Sequence, residues 1–323
     1  MINVLVMSPC SGRDKDILNS AGKNFNFVYV DENAEKDLLK QEIDKAEIII
    51  GEPEINMIQN APDLKLIQMT MAGTDKYTRN EGFPSHIMLA NASGAFGGVI
   101  SQYTVGAILN ICHKFHIYRD NQKKSLWEDM GMETSLAGKR VLIIGAGNIG
   151  SSVAYKLSVF GTENIGIRRN IKEVPPCFSE MHTLDELDEQ LPLADIVVAC
   201  IPNSDYTYHL FDEKKFRLMK KDAIFVNVGR GALVVQDDLV KVLNSGHLKG
   251  VVLDVTDPEP LPSDNPLWGI ENVVITPHIS GKSFGHSQEI TDSIYQICVE
   301  NLINYSESRP IKNLINFSQF KKQ

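Results

Sequence analysis

The sequence predicts an α/β protein with two domains, each built on a parallel sheet, joined by long helices. Three observations support this fold class. Short β-rich runs alternate with helical stretches along most of the chain. A glycine-rich turn connects an apolar run to a helical pattern near the middle of the sequence. The length of 323 residues is large for one hydrophobic core and sufficient for two.

The composition is that of an ordinary globular protein, with 43% apolar and 23% charged residues. The 32 basic and 41 acidic side chains give a net charge of -9, which disfavours nucleic acid or an anionic membrane as the main partner. No apolar run is long enough to span a bilayer, and the N-terminus resembles a buried strand rather than a signal peptide. Five scattered cysteines without a CxxC pair fit reduced thiols. We therefore expect a cytoplasmic protein that binds neither nucleic acid nor membrane.

Between Asn3 and Ala92, candidate strands alternate with candidate helices, as in a parallel sheet with helices on its faces. The strands are residues 3–7, 25–30, 47–50, 64–69 and 87–90, and the helices are 15–21 and 35–46. From Phe96 to about Trp127, apolar residues recur at helical spacing and predict a long helix that is followed by a polar crossing. The polar segment 119–138 is expected to lead into the second domain.

The glycine-rich turn follows an apolar strand at residues 141–144. Gly145 permits a tight turn, Gly147 lets the backbone approach a pyrophosphate, and Gly150 lets the next helix pack closely on the sheet. The helix N-terminus, with the amides of Asn148 and Ile149, offers unpaired N–H groups to phosphates. Glycine-rich turns also occur by chance, so a purely structural turn is the alternative. The strand before the turn and the helix after it, residues 151–160, favour a dinucleotide site.

Beyond this turn, strands and helices continue to alternate. The strands are 164–167, 195–200, 223–228, 250–255 and 273–276, and the helices are 184–190, 213–219 and 236–244. A last helix, at about 286–305, is expected to cross back onto the first domain. We expect residues 1–98 plus 287–323 to form one domain and 99–286 to form a dinucleotide-binding Rossmann domain, both Rossmann-like or flavodoxin-like.

Polar residues follow three strands of the second domain: Arg230, Glu259 and His278. In a doubly wound sheet, ligands bind outside the carboxyl ends of the strands, so we expect these side chains to meet at one edge. Beside a nicotinamide site they suit the reduction of a 2-oxo acid. Arg230 can hold the carboxylate and polarise the carbonyl, and His278 can donate a proton to the oxygen. Glu259 can orient the imidazole and stabilise its protonated form.

Each of these residues has a simpler explanation when it is considered alone. Arg230 could be a surface arginine, His278 a structural histidine after Pro277, and Glu259 a solvated carboxylate in a proline-rich turn. Asp254, which also follows a strand, could cap a helix or bond its own backbone. The joint placement after successive strands favours catalysis.

Four motifs stand in the order and approximate spacing of one enzyme family. They are Gly145–Gly150, Asn227–Gly231, Leu253–Leu261 and Thr276–His278. On these motifs the sequence resembles the D-isomer-specific 2-hydroxyacid dehydrogenases, over nearly the whole chain. The resemblance implies that Arg230, Glu259 and His278 are catalytic and that Asp254 lies beside the nicotinamide.

The resemblance also implies binding residues outside this trio. Met71, Ala72 and Gly73 resemble the family's substrate loop, whose backbone N–H groups meet the substrate carboxylate. Trp127 matches an aromatic residue near the start of the second domain. Further cofactor contacts are implied for Ile201, Pro202, Thr207, Val228 and Gly229. In this family the C-terminal segment completes the substrate-binding domain, and subunits usually dimerise through the nucleotide domain, so a homodimer is expected.

The end of the second strand of the nucleotide domain departs from the commonest pattern. An NAD site places an acidic residue there, roughly 20 residues after the first glycine, to bind the ribose 2′-OH. This chain has Arg168 and Arg169, which would attract a 2′-phosphate. Charge-assisted bonds of about 1.5 to 3 kcal/mol imply a roughly ten- to hundredfold preference. We therefore expect NADP(H), with NAD(H) possible; a solvated basic pair is the alternative.

Together these features predict the reversible NADPH-dependent reduction of a small 2-oxo acid to the D-2-hydroxy acid. Glyoxylate and hydroxypyruvate are plausible substrates, and bulkier 2-oxo acids remain possible. One alternative is an NAD-linked dehydrogenase for another acid such as 3-phosphoglycerate, although the short C-terminus disfavours the form with a regulatory domain. The other is a dinucleotide-sensing regulator on the same scaffold. No metal is expected, because His113 and His116 have a metal-like spacing but no third ligand.

Overall fold

A computed structural model describes residues 1–31 and 33–320 of the chain. The chain divides into two compact units, Met1–Phe96 with Lys282–Gln323, and Gly97–Gly281. Residues 32 and 321–323, which fall within the predicted first domain, lie outside the described residues. Both units contain a parallel sheet and helices, which confirms the predicted fold class. Among the described helices, none combines the length and the apolar character that a membrane crossing requires.

Among its described residues, the first unit has a sheet of five strands in the order β2-β1-β3-β4-β5, and every neighbouring pair of these strands is parallel. The strands are β1 (Ile2–Val6), β2 (Phe25–Tyr29), β3 (Ile48–Ile50), β4 (Leu66–Gln68) and β5 (Met88–Ala90). The helices between them are α1 (Gly12–Asn19), α2 (Lys36–Lys45), α3 (Ile55–Ile58) and α4 (Asp75–Thr78). The three isoleucines of β3 are all buried, as expected for a central strand of a parallel sheet that is covered on both faces.

The sheet of the second unit has seven parallel strands in the order β12-β11-β10-β9-β6-β7-β8. The strands are β6 (Arg140–Ile144), β7 (Glu163–Ile167), β8 (Glu180–His182), β9 (Ile196–Ala199), β10 (Ile224–Asn227), β11 (Gly250–Leu253) and β12 (Val273–Ile275). The helices are α5 (Gly97–Cys112), α6 (Phe115–Lys123), α7 (Asn148–Ser158), α8 (Leu187–Gln190), α9 (Glu213–Leu218) and α10 (Gln236–Asn244). Strand order reverses between β6 and β9, which is where ligands bind in open α/β sheets.

The C-terminal part of the first unit contains α11 (Gln288–Ser306), which begins after the N-cap Ser287. The chain then returns to the sheet beside β5. Leu314 forms an antiparallel bridge with Ala90, and the N–H of Ile315 donates to the carbonyl oxygen of Leu89 at 2.8 Å. This segment therefore extends the sheet edge that β5 would otherwise leave open.

The long helix expected to begin near Phe96 is in fact two helices, α5 and α6. They are separated at Lys114, whose φ of 56° is left-handed and interrupts the helix. Helix α6 continues to Lys123, so the prediction of a polar linker starting at residue 119 is wrong at its beginning. Both helices belong to the second unit.

Three short elements had no counterpart in the sequence analysis. Helices α3 and α4 have four residues each, and strand β8 has three. A helix of four residues makes only about one turn, which is too short for a helical period to emerge. The strand β8 also has the polar sequence Glu-Met-His at the edge of the sheet, so no buried run marks it.

Candidate functional site

Glycines allow close contact between the turns that follow neighbouring strands of the second unit. After β6, Gly145 has a φ of 103°, and a Cβ there would lie 2.7 Å from the carbonyl oxygen of Cys200. After β10, a Cβ on Gly229 would lie 2.7 Å from the carbonyl oxygen of Ile201. Both approaches therefore require glycine. The turn after β9 lies between the turns after β6 and β10, at the reversal of strand order.

A third close approach joins the turns after β10 and β11. A Cβ on Gly231 would lie 1.9 Å from the carbonyl oxygen of Thr256, a distance that no side chain could tolerate. The N–H of Thr256 in turn donates to Oε1 of Glu259 at 3.1 Å. The loop that carries Arg230 is therefore packed directly against the turn that carries Glu259.

Helix α7 begins at the glycine-rich turn. A Cβ on Gly150 would lie 2.3 Å from the carbonyl oxygen of Gly145, so this glycine is needed for packing. Gly147, the N-cap, differs, because a Cβ there would meet no described protein atom within 4 Å. The first turn of α7 has no acidic residue, and its leading N–H groups, those of Asn148 and Ile149 among them, have no partner within the helix. A helix N-terminus with a glycine that protein packing does not require fits a phosphate group.

Asp254 is buried at the carboxyl end of β11, where its side chain binds the turn after β12. Oδ1 accepts from Oγ1 of Thr276 at 2.6 Å and from the N–H of Ile279 at 2.9 Å. Oδ2 accepts from the N–H of Ser280 at 3.0 Å, and the N–H of His278 donates to the main-chain oxygen of Asp254 at 2.8 Å. The side chain therefore neither caps a helix nor bonds its own backbone. Instead, Asp254 shapes the turn that contains His278.

His278 and Glu259 are in direct contact. Nδ1 of the imidazole lies 2.8 Å from Oε2 of the carboxylate. Because an ionised carboxylate only accepts hydrogen bonds, Nδ1 is the donor and carries a proton, which leaves Nε2 as the atom that can exchange a proton with a substrate. Both side chains are accessible, with 49% of His278 and 39% of Glu259 exposed. This pair can therefore act on a molecule from solution.

Arg230 lies in a tightly held loop after β10. Its Nη1 donates to the carbonyl oxygen of Gly229 at 2.7 Å. The buried Asn227 bonds the loop at two points: Nδ2 donates to the carbonyl oxygen of Arg230 at 2.9 Å, and Oδ1 accepts from the N–H of Gly229 at 3.0 Å. Val228 between them is also buried. These contacts fix the backbone from which the guanidinium extends.

The two arginines after β7 are exposed at the carboxyl edge of the sheet. The N–H of Arg168 donates to the carbonyl oxygen of His182 in β8 at 2.9 Å, which continues the pairing of β7 with β8. The guanidinium carbon of Arg169 lies 5.7 Å from the centre of the Tyr206 ring, within cation–π range. Tyr206 belongs to the turn after β9, in which Oγ1 of Thr207 donates to the carbonyl oxygen of Pro202 at 2.8 Å. Arg169 therefore adjoins the turn that the sequence predicts to line the cofactor.

In the first unit, Met71, Ala72 and Gly73 form the loop that follows β4. Two of its carbonyl groups are occupied: that of Met71 accepts from the N–H of Ala92 at 3.0 Å, and that of Ala72 from Nδ2 of Asn91 at 2.7 Å. The N–H groups of Ala72 and Gly73 have no acceptor within the described part of the chain. The loop can thus offer two N–H groups to an anion.

Glu52, which the sequence does not mark as a site residue, bonds Thr70, the residue just before this loop. Its Oε1 accepts from the N–H of Thr70 at 2.6 Å, and both of its oxygens lie 3.1 Å from the Thr70 hydroxyl. Burial raises the pKa of Glu52, and the hydrogen bonds from Thr70 and from the N–H of Met71 partly offset this effect. The only signal in the sequence was its position just after a strand.

Other functional contacts also escaped sequence reasoning. Asn227 and Thr276 lie inside motifs, but the atoms they bond could not be inferred from those motifs. Tyr103, whose hydroxyl lies 2.5 Å from Oγ1 of Thr276, and Tyr206 lie far in sequence from their partners. No local pattern could have identified them.

Two remaining features of the sequence, Trp127 and the histidine pair His113 and His116, make no described contact with the residues of the candidate site. Trp127 is fully exposed after α6. Nδ1 of His113 contacts Glu133 at 2.9 Å, and burial lowers the pKa of His116. Within residues 1–31 and 33–320, no group of three or more His, Cys, Asp or Glu side chains could hold a metal ion.

Comparison with known proteins is consistent across sequence and structure. A family model described as "D-isomer specific 2-hydroxyacid dehydrogenase, NAD binding domain" matches residues 105–280. A glyoxylate reductase of Thermofilum pendens is 30% identical over 81% of this chain and 78% of that protein. A D-3-phosphoglycerate dehydrogenase of Methanocaldococcus jannaschii is 28% identical over 99% of this chain and 61% of that protein. The solved structure of a D-isomer specific 2-hydroxyacid dehydrogenase family protein from Aeromonas salmonicida is 32% identical, with a TM-score of 0.85 over 98% of this chain and 99% of that one.

Proposed function

Because the chain belongs to the D-isomer specific 2-hydroxyacid dehydrogenase family, it is an oxidoreductase that interconverts 2-oxo and D-2-hydroxy acids, and we propose that it uses NADPH to reduce a small 2-oxo acid such as glyoxylate. The observation that carries this proposal is the contact of His278 with Glu259, 2.8 Å long and accessible to solvent. It supplies the proton donor that carbonyl reduction needs.

In this proposal each residue of the trio has one role. When bound, the reduced nicotinamide supplies the hydride that the carbonyl carbon accepts. His278 donates the proton on Nε2 to the carbonyl oxygen, and Glu259 stabilises the imidazolium form through Nδ1. Arg230 binds the substrate carboxylate and polarises the carbonyl. In the reverse direction, His278 acts as the base that takes the hydroxyl proton.

We further propose that the loop of Met71, Ala72 and Gly73 binds the substrate carboxylate. Its support is the pair of N–H groups on Ala72 and Gly73, which make no hydrogen bond within the described chain. Backbone N–H groups of this kind bind carboxylate oxygens through charge-assisted hydrogen bonds. The carbonyl groups of the same loop are bonded by Asn91 and Ala92, which holds the N–H groups in one orientation.

The preference for NADPH rests on Arg168 and Arg169. Both follow β7, whose end approaches the ribose in this fold, and neither is acidic. The remaining cofactor residues of the proposal hold the pyrophosphate and line the nicotinamide. They are Gly145, Gly147, Asn148, Ile149, Gly150, Ile201, Pro202, Thr207, Val228, Gly229 and Asp254. The glycine turn supports this assignment, because the Cβ position of Gly147 is open.

The substrate proposal favours a short 2-oxo acid. A glyoxylate reductase is among the relatives that share 30% identity with this chain. The second candidate is 3-phosphoglycerate with NAD, because a D-3-phosphoglycerate dehydrogenase matches 99% of this chain at 28% identity. We also propose a homodimer, from family resemblance, and a reducing cytoplasmic location, which agrees with five unpaired cysteines.

An absorbance assay at the reduced-nicotinamide band tests the function. The purified protein is incubated with NADPH or NADH and a panel of 2-oxo acids that includes glyoxylate, hydroxypyruvate and a branched-chain acid. The reverse reaction is measured with 3-phosphoglycerate and either oxidised cofactor. We expect glyoxylate or hydroxypyruvate with NADPH to give the highest kcat/KM, by roughly ten- to hundredfold over NADH. Equal efficiency with both cofactors would overturn the NADPH assignment. Binding of NADPH without turnover on any acid would indicate a sensor instead.

A further inference from the structure

A chain of side-chain hydrogen bonds runs from α5 to the turn that contains His278. The hydroxyl of Tyr103 lies 2.5 Å from Oγ1 of Thr276, and that oxygen lies 2.6 Å from Oδ1 of Asp254. An ionised carboxylate only accepts, so the single hydroxyl proton of Thr276 points to Asp254. Tyr103 must therefore be the donor to Thr276. The direction of the whole chain is thus fixed: Tyr103 to Thr276 to Asp254.

The end of this chain is a buried carboxylate that orders the His278 turn. Asp254 is 1% exposed, and it also accepts from the N–H groups of Ile279 and Ser280. Its main-chain oxygen accepts from the N–H of His278, whose φ of 51° lies in the left-handed region. A non-glycine residue keeps that conformation only when its surroundings hold it there. The carboxylate and its donors provide that restraint.

The tyrosine is suited to remain a donor. Burial raises the pKa of Tyr103 to about 12, so its hydroxyl stays protonated throughout the working range. Tyr103 lies within α5, and nothing in the sequence suggests a link between this residue and the catalytic trio. Its only described hydrogen-bond partner is Thr276, 173 positions away.

We propose that Tyr103 and Thr276 are positioning residues for the catalytic histidine, acting through the carboxylate of Asp254. This inference rests on the proposed function, because it assigns proton transfer to His278. Loss of the Thr276 hydroxyl removes a donor from a buried carboxylate, whereas loss of the Tyr103 hydroxyl removes only the bond behind it. Loss of the Thr276 hydroxyl should therefore have the larger effect on His278. Loss of the Tyr103 hydroxyl should act only through Thr276.

A double-mutant cycle tests the proposal, with Tyr103→Phe, Thr276→Val and the combined variant. We expect Thr276→Val to lower kcat roughly ten- to a hundredfold and Tyr103→Phe roughly three- to tenfold, from the usual strengths of charged and neutral hydrogen bonds. Adding Tyr103→Phe to Thr276→Val should change kcat no further, because the donor has lost its acceptor. The KM for NADPH should stay within about twofold in each variant, and Thr276→Ser, which keeps the hydroxyl, should retain most of kcat.

Tyr155→Phe is the matched control, because Tyr155 lies exposed on α7. NMR signals of the His278 ring in the protein without substrate give a readout that does not depend on turnover. They should move in Tyr103→Phe and Thr276→Val but not in Tyr155→Phe. An undiminished effect of Tyr103→Phe in the Thr276→Val background, or unchanged ring signals with full kcat, would overturn the proposal. If the unmodified protein reduces no 2-oxo acid, the function fails, while the ring signals still test the positioning.

Discussion

Nδ1 of His278 lies 2.8 Å from Oε2 of Glu259, although both side chains are partly accessible to solvent. Even a fully charged pair at an exposed site contributes only about 0.2 to 1 kcal/mol to folding. The turn around it is nevertheless fixed by the buried Asp254, and the partner turn by the close approach of Gly231 to Thr256. The pair therefore contributes little to stability, but buried contacts position it where it can react with a substrate.

We expect His278→Ala to lower kcat for 2-oxo acid reduction at least about a hundredfold, because the proton donor is lost. The Kd for NADPH should be unchanged, and the free energy of unfolding should change by less than about 1 kcal/mol, because the pair is exposed. Steady-state kinetics, fluorescence titration and urea unfolding measure these quantities. The control is His86→Ala, an exposed histidine of the first unit. Full turnover in His278→Ala would remove this histidine from the mechanism.

Gly231 and Gly147 should respond differently to substitution by alanine. At Gly231 the new Cβ would lie 1.9 Å from the carbonyl oxygen of Thr256, so Gly231→Ala must separate two turns and lower both Tm and activity. At Gly147 the Cβ meets no described protein atom within 4 Å, so Gly147→Ala should alter stability by less than about 1 kcal/mol yet weaken NADPH binding. Thermal unfolding and cofactor titration separate the two effects.

The control for both is Gly106→Ala in α5, where a Cβ also meets no described atom within 4 Å. Alanine in a helix interior is favoured over glycine by roughly 0.5 to 1 kcal/mol, so this variant should be slightly more stable. If Gly147→Ala binds NADPH as tightly as the unmodified protein, the proposed pyrophosphate position is wrong.

The sequence was sufficient to predict the repeating strands and helices and the fold class. Buried strands such as β6 and β10 are continuous apolar runs, and α10 matched its expected bounds because its apolar residues recur with helical period. The contact of His278 with Glu259 could also be anticipated, because both follow neighbouring strands of one parallel sheet.

The rest depended on contacts that local patterns do not encode. The break at Lys114 arises from one left-handed residue within an otherwise helical pattern. The bond from Tyr103 to Thr276 spans 173 positions, and the bond from Glu52 to Thr70 joins the ends of two adjacent strands. Such side-chain contacts follow from the packing of elements, which a single sequence does not specify.

Arg168 should control the choice of cofactor. We expect Arg168→Ala to lower kcat/KM for NADPH roughly ten- to hundredfold and to leave that for NADH within about twofold, because only the 2′-phosphate loses a charge-assisted bond. The matched control is Lys172→Ala, an exposed cation in the same segment after β7. Equal losses with both cofactors would mean that Arg168 supports the fold rather than the 2′-phosphate.

A histidine outside the proposed site should make stability depend on pH. Nε2 of His182 lies 3.1 Å from Glu180, and Nδ1 lies 2.9 Å from Glu186. Burial lowers the pKa of His182, but the bonds to Glu186 and Glu180 outweigh burial and raise it above the ordinary 6.5. The hydrogen bond from His182, with those from Thr183, lowers the pKa of Glu186 to about 2.

The two shifts have opposite consequences for stability. A raised histidine pKa stabilises the fold below pH 6.5, and this contribution is lost as pH rises through the folded-state value. A lowered glutamate pKa stabilises the fold above pH 4.5, and this contribution is lost as pH falls toward 2. The cluster of His182, Glu180 and Glu186 therefore contributes most to stability between pH 4.5 and pH 6.5, the ordinary pKa values of glutamate and histidine. We expect His182→Gln to lower Tm most near about pH 5.5 and less near about pH 8.

Thermal unfolding of His182→Gln across this pH range, beside His86→Gln at an exposed site, measures the effect. The His86 variant should shift Tm equally little at every pH, because its side chain is exposed and the cluster is unaltered. A constant loss of Tm in His182→Gln from acid to alkaline pH would show that packing rather than charge explains the contribution.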